Sequence, residues 1–432
     1  MSLFDYAHLK SLPGPEDITR VVLPNGITVL TRVNFDSPSV VLNGYLASGS
    51  MYDSDEKAGL AHFTASALMR GTWKRSFQEI FDALESVGAS LGFGASVHNT
   101  SFGGRALVED LPLLLELLAE CIREPIFPLE YVERLRAQHL AALAIRAQDT
   151  SDMASLTFDS NLFPGHPYGR SEEGYPETIQ AITREDLLSF HQQHYGPRNM
   201  VIVIVGGIEP QAAIAQVEEK LGDWQNPNQM ALPDLPTIQP PEKMLRHHVH
   251  IPGKSQCDLV MGSIGPCRNS ADYLPASLGN NILGQFGMMG RIGNVVREQE
   301  GLAYYASTSL NAWIVGGSWE VAAGVNPDNL ERAIELIIKE IRRFTTEPVS
   351  QEELEDSQSN FIGRLPLSLE SNAGVAGALL NLERFGLGLN YLRRYPQMVA
   401  EVTPEMILEV ARRYLDPERL IIATAGTLNV AG

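Results

Sequence analysis

The amino-acid sequence predicts an α+β protein made by repeating one domain, and three observations predict it. With 432 residues the chain has room for two domains. Residues 224–243 carry Pro227, Pro233, Pro236, Pro240 and Pro241 with little apolar periodicity, so they read as a linker. On each side of that stretch the same order of elements recurs, strands, helices, strands, then helices and a late strand, which in the first half a further helix follows. No residue-level identity between the halves accompanies it, so the repeat is one of architecture.

The first half opens with β-rich runs in residues 20–31, split by a Pro-Asn-Gly turn, which predicts a hairpin. Residues 40–47 predict another strand. A short helix follows between Gly59 and Gly71. A second helix, residues 76–87, starts at a capping box of Ser76 and Glu79. Residues 89–107 alternate and are rich in glycine, which predicts two strands. Helices are expected at 111–121, 129–148, 153–162, 184–194 and 211–221, with a strand at 200–206. In the second half, strands are expected at 247–251 and 257–263, and helices at 273–283 and 290–299. Strands at 304–312 and 318–323, four helices, and a strand at 420–425 complete it.

Composition narrows the function. The chain is 44% hydrophobic and 20% charged, ordinary for a globular protein with a large core. A net charge of -19 argues against nucleic acid and anionic membrane as partners. It suits basic peptides, and it also serves solubility. Cys121, Cys257 and Cys267 have no metal or redox spacing, which fits free thiols in a reducing compartment. The N-terminal residues show no secretory or transit pattern, and no apolar run is long enough to span a membrane, so a cytoplasmic location is expected. The sequon Asn99-Thr-Ser101 carries no weight without secretion.

The chemistry centres on residues 59–72, Gly-Leu-Ala-His-Phe-Thr-Ala-Ser-Ala-Leu-Met-Arg-Gly-Thr. Leu60, Phe63, Ala67 and Leu68 form an apolar stripe, and His62, Ala65 and Ser66 share another face. A zinc peptidase can grip its metal with two histidines one helical turn apart and activate a water with a carboxylate between them. Here only the first group is present. On its residues alone, His62 reads as a partly buried polar side chain.

Gly-Leu-Ala-His-Phe followed by Met-Arg-Gly-Thr resembles the active-site helix of the pitrilysin-type (inverted zincin) metallopeptidases, whose motif is H-x-x-E-H. The resemblance implies that His62 stands at the first ligand, Ala65 at the general base and Ser66 at the second ligand. The family's third ligand is a glutamate on a later helix. The corresponding window, residues 141–146, is Ala-Ala-Leu-Ala-Ile-Arg and offers no carboxylate.

The second half holds a glycine-punctuated stretch, residues 283–304, expected as a loop at Gly284, Gly287 and Gly290 and then a helix. It is no phosphate loop, since there is no G-K-S/T and the glycine spacing is not G-x-G-x-x-G. Arg297 falls late on the helix, Gly301 stops it, and Tyr304 opens the next strand. Spacing alone favours an arginine on the helix dipole and a core tyrosine. The family resemblance points elsewhere, to an arginine-tyrosine pair commonly written L-R-x-x-x-G-L-x-Y. Arg297 and Tyr304 match that pattern, with Val296 replacing the leucine. Arg291 matches the arginine that commonly follows the family's glycine-rich loop, and Tyr305 is an adjacent claimant for the tyrosine. His191 with His194, and His247, His248 and His250, lack acidic partners at a recognisable spacing and read as solvated surface. No serine or cysteine nucleophile motif appears.

The resemblance covers nearly the whole chain. It implies two homologous lobes, each an antiparallel-rich sheet covered by helices, with lobes at 1–223 and 244–432 joined by 224–243. It further implies a noncatalytic subunit that binds no metal or other cofactor, holds a peptide substrate, and completes a zinc site in a partner chain bearing H-x-x-E-H. The alternative is a non-proteolytic scaffold or binding protein of the same fold.

Overall fold

The computed structural model describes residues 12–428. The first half contributes β1 (Thr19–Val22), β2 (Thr28–Val33), β3 (Ser39–Leu46), α1 (Leu60–Ala67), α2 (Phe77–Ser86), β4 (Ser90–Ala95) and β5 (Thr100–Leu107). It continues through α3 (Leu111–Arg123), α4 (Leu129–Arg146), α5 (Thr150–Leu162), α6 (Pro176–Ala181), α7 (Arg184–His194), β6 (Val201–Gly206) and α8 (Pro210–Leu221). The second half contributes β7 (Leu245–His250), β8 (Cys257–Gly265), α9 (Tyr273–Gly284), α10 (Phe286–Gly293), β9 (Ala303–Trp313) and β10 (Gly316–Val325). It ends with α11 (Leu330–Thr346), α12 (Gln351–Ser368), α13 (Asn372–Arg384), α14 (Tyr391–Ala400), α15 (Pro404–Tyr414) and β11 (Ile421–Gly426). Five helices, not four, therefore precede the last strand. The glycine-rich stretch expected as a loop is largely helical, because α10 begins at Phe286 and runs into a π-helical turn, Asn294–Gln299.

The strands form two sheets, and their topology states the repeat more clearly than the sequence does. The first is ordered β1-β2-β6-β3-β5-β4 and the second β7-β11-β8-β10-β9. Without β1, the two orders superimpose strand for strand. The one parallel pairing in each also corresponds, β2 with β6 and β7 with β11. All other pairings are antiparallel.

The compact units are not the contiguous lobes that boundaries at 223 and 244 describe. One unit takes the chain up to Leu143, then Ser171–Asp234 and Pro366–Arg393. The other takes Ala144–Arg170, Leu235–Leu365 and the chain from Arg394 onward. Thus α5 packs on β8 and β11, and α13 packs on β3 and β6. The physical cause lies in the central strands. β6, Val-Ile-Val-Ile-Val-Gly, and β11, Ile-Ile-Ala-Thr-Ala-Gly, are buried at every residue. A strand that is apolar on both faces needs a layer on each, and a helix from the other half of the sequence supplies the second layer. The residues read as a linker are divided as well. Trp224 is buried, and the buried Gln229 carboxamide accepts from the Arg198 N–H at 3.1 Å and donates to the Arg198 carbonyl at 3.0 Å, so this part is docked on the first unit.

Local rules account for the starts of the elements that matter here. The Asp53 carboxylate caps α1, accepting from the backbone N–H of Gly59 at 3.0 Å and of Ala61 at 3.1 Å, where negative charge suits the helix dipole. Gly59 itself has φ +94, and a Cβ there would lie 2.8 Å from the Glu173 carbonyl oxygen, so only glycine lets the chain enter this helix. The Ser76–Glu79 capping box that opens α2 is present as expected.

Candidate functional site

Helix α1 brings His62 and Ser66 to a half-buried face, while Ala61, Phe63, Thr64, Ala65 and Ala67 are buried. Across from it, α4 presents His139, a residue the motif comparison passes over. Its ring centroid lies 5.2 Å from that of His62 and 4.9 Å from that of Phe63. The signal was available, since His139 lies two residues before the expected third-ligand window at 141–146, but histidine is not the residue type sought there. Burial, together with the His62 charge and against the pull of Glu173, takes His139 down to about 4. Burial lowers His62 as well, again opposed by Glu173. Both imidazoles are therefore neutral at pH 7. Ala141 and Ala142, two and three residues further along α4, are exposed and carry no side-chain donor atom.

The donor chemistry here does not fit a zinc centre. Two imidazoles converge, but Ala65 and Ser66 provide neither a carboxylate base nor a third nitrogen, and residues 141–146 of α4 give no carboxylate. Among the described residues no group of three or more His, Cys, Asp or Glu side chains is arranged to hold a metal ion.

In the second unit, Arg297 lies in the π-helical turn with its guanidinium partly exposed, its Nε 3.7 Å from the Glu298 carboxylate. Gly301, at φ +64, ends the turn: its N–H donates to the Arg297 carbonyl at 3.1 Å, and Leu302 donates to Val296 at 2.9 Å. β9 then begins at Ala303. Its pairing with β10 slips at once, because Ala303 lies opposite Val325 and Tyr305 lies opposite Gly324. Tyr304 is the extra residue of this β-bulge and is 82% exposed. Bulges re-aim side chains in this way, and they recur beside active sites. Alternation from the sequence predicts a core tyrosine; the bulge is why the structure shows a free one.

Tyr305 is fixed elsewhere. Its hydroxyl donates to the Asp258 carboxylate at 2.7 Å, and burial and that carboxylate push its phenol far above the ordinary range. Asp258, 2% exposed, also accepts from Thr150 at the start of α5 and from the Gln256 carboxamide at 2.9 Å. Tyr305 is thus a structural group, and Tyr304 alone has a free hydroxyl. Arg291 is structural too. It is nearly buried, donates bidentately to Glu353 on α12 with both contacts at 2.6 Å, and lies 5.8 Å from the Phe344 ring centroid.

The other histidines divide. His191 and His194, expected as solvated surface, are packed inside. His194 is buried against Tyr52 and Phe190, and His191 Nε2 is 2.8 Å from the Ile122 carbonyl oxygen. Burial takes each down to about 4. Their helix, α7, is polar by composition, and the rings find apolar company in Tyr52, Ile122 and Phe127, which other segments bring to it. His248 and His250 are exposed, in keeping with surface positions.

Each sheet ends in a strand paired on one side only, β4 in the first and β9 in the second. Such an edge offers its free N–H and C=O groups to an extended peptide. No described helix is long and apolar enough to cross a membrane.

Comparison with known proteins agrees with this architecture. Residues 28–171 match the family described as Insulinase (Peptidase family M16), and residues 181–361 match Peptidase M16 inactive domain. An uncharacterized zinc protease of Streptomyces coelicolor is 25% identical over 94% of this chain and 89% of its own length. One of Mycobacterium leprae is 26% identical over 92% of this chain and 89% of its own length. A crystal structure of a peptidase M16 inactive domain from Pseudomonas fluorescens superimposes with a TM-score of 0.89 at 26% identity, covering 95% of this chain and 98% of that one. The chain belongs to the M16, pitrilysin-type metallopeptidase family.

Proposed function

We propose that this chain is the noncatalytic, substrate-binding subunit of a two-chain zinc peptidase, completing in trans a site whose metal and general base belong to a partner bearing H-x-x-E-H. The observation that carries the reading is the bulge that sets Tyr304 free of its strand, in a chain whose α1 lacks the base and the second ligand. The similarity to an M16 inactive domain supports it. In this reading the Tyr304 hydroxyl donates to the scissile carbonyl oxygen as that oxygen gains charge, and Arg297 clamps a peptide carbonyl or carboxylate.

The test is reconstitution with a chain of the same family that contains H-x-x-E-H. Peptide cleavage should require both chains. Tyr304→Phe should lower kcat roughly 100-fold or more with little change in binding, as loss of an oxyanion donor does. Arg297→Ala should raise KM as well. Gel filtration should show the complex intact in both. A stable complex whose cleavage ignores both substitutions would sink this reading and leave a scaffold of the same fold.

A further inference from the structure

We propose that Arg105 forms a subsite for a carboxylate carried by an extended peptide on the first unit. This deepens the reading above by naming a substrate class, and it rests on that reading only in taking the occupant to be a peptide.

The side chains that leave the core of β3, β5 and β4 on one face are Ser39, Val41, Asn43 and Tyr45, then Ser101, Gly103, Arg105 and Leu107, then Ser90, Gly92 and Gly94. Arg105 is the one charged side chain among them. It is exposed, and among the described residues it makes no ion pair. In a chain of net charge -19 many arginines have a carboxylate at hand, and this one is left for a ligand. A cavity of about 540 Å³ opens beside it, lined by Ser39, Gly88, Asn34, Asn372 and Glu370 among others. Asn34 and Asn372 are bonded to each other at 2.7 Å, so that wall is set.

The floor around the cavity is bare. Ser90 lies opposite Arg105, and Gly92 lies opposite Gly103. A Cβ at Gly92 would meet nothing within 4 Å. A strand added at the free edge of β4 would lie two strand spacings from β5, about 9–10 Å. Arg105 and an acidic side chain bridge that gap from opposite sides, with only Ser90 beneath them. A guanidinium fork pairs bidentately with a carboxylate, and this site fits either an aspartate or glutamate side chain or a peptide C-terminus. Glu370, the cavity's one carboxylate, is the group such a ligand must avoid.

The experiment is fluorescence-polarisation binding to the full chain. The probes are a labelled Val/Thr-rich peptide amide with one Glu, the same peptide with Gln in that place, and the Gln peptide with a free C-terminal carboxylate. The Glu peptide should bind about tenfold tighter than the Gln amide at low salt, with the gap closing as salt is added. If the free C-terminus restores the gain, the subsite reads a chain end; if it does not, it reads a side chain. Arg105→Gln should erase the difference, Arg105→Lys should keep part of it, and Glu370→Gln should widen it. Melting temperatures should be unchanged, because Arg105 is exposed. Equal affinity for all three probes, or a preference that survives in Arg105→Gln, overturns the assignment while leaving peptide binding intact. No binding by any probe overturns the assignment and the peptide reading together.

Discussion

The Tyr305 hydroxyl meets the Asp258 carboxylate at 2.7 Å, and this bond anchors the strand at the place where Tyr304 drops out of register. Two adjacent tyrosines thereby have opposite fates. One is tied to a buried acid; the other projects from the start of an edge strand. Gly324, opposite Tyr305, makes the arrangement possible, since a Cβ there would lie 2.6 Å from the Tyr305 ring and 2.9 Å from Asp258 Oδ1.

Tyr305→Phe should therefore cost stability and loosen the bulge. Removing one donor from a buried carboxylate costs about 1–3 kcal/mol. Urea unfolding would measure the loss, and hydrogen exchange should show faster opening at the start of β9. Gly324→Ala should do at least as much damage by steric overlap. A wild-type unfolding midpoint in both variants would contradict this account of the bulge.

Arg291 makes a second local prediction. Arg291→Ala takes the bidentate partner from Glu353, which is 33% exposed, and leaves Glu340 with Arg343 alone, so the loss should be about 1–3 kcal/mol. Burial raises the Glu353 carboxyl, but hydrogen bonds from Arg291 and Ser350 outweigh it and bring it down to about 2, from an ordinary 4.5. A lowered carboxylate stabilises the fold above 4.5, and that contribution fades as pH falls from there through 2. The stability gap between wild type and Arg291→Ala should narrow over that acid range, as followed by denaturant titrations at several pH values.

The buried histidines give a milder pH dependence at a higher range. His139, His191 and His194 each titrate at about 4 in the folded chain, against 6.5 ordinarily. Between those values the unfolded chain binds protons that the folded chain refuses, so stability is full above 6.5 and falls as pH drops toward 4. His191→Gln, with no proton to take up, should flatten part of that fall. Thermal melts at stepped pH would show it, and equal slopes for variant and wild type would argue against it.

Restoring the zinc helix should fail. Ala65→Glu with Ser66→His puts a base and a second histidine beside His62, but residues 141–146 of α4 still supply no carboxylate and Ala65 lies in a buried position where a glutamate must displace core atoms. Zinc bound after dialysis, measured by elemental analysis, should stay well below one per chain, with no chelator-sensitive cleavage. Tight zinc and peptidase activity in that double variant would refute this.

Much of this protein is set by short stretches of sequence acting locally. The hairpin turn, the Ser76–Glu79 box, the glycine stops and the alternation of β4 and β5 each depend on neighbours a few residues away, so the elements and their repeated order can be read directly. The missing ligands of α1 can be read as well, since an alanine has no donor in any fold. What only the tertiary structure decided is which surfaces those elements share. An apolar helix face records that it will be buried, not against which sheet, so nothing in the sequence of α5 or α13 tells that each covers a strand from the other half. His139 meets His62 across two helices, and His191 and His194 are buried by what packs on them. The bulge at Tyr304 comes from a pairing between distant strands, held by an acid nearly fifty residues earlier. Contacts of that kind are set by packing between segments, which no single segment encodes.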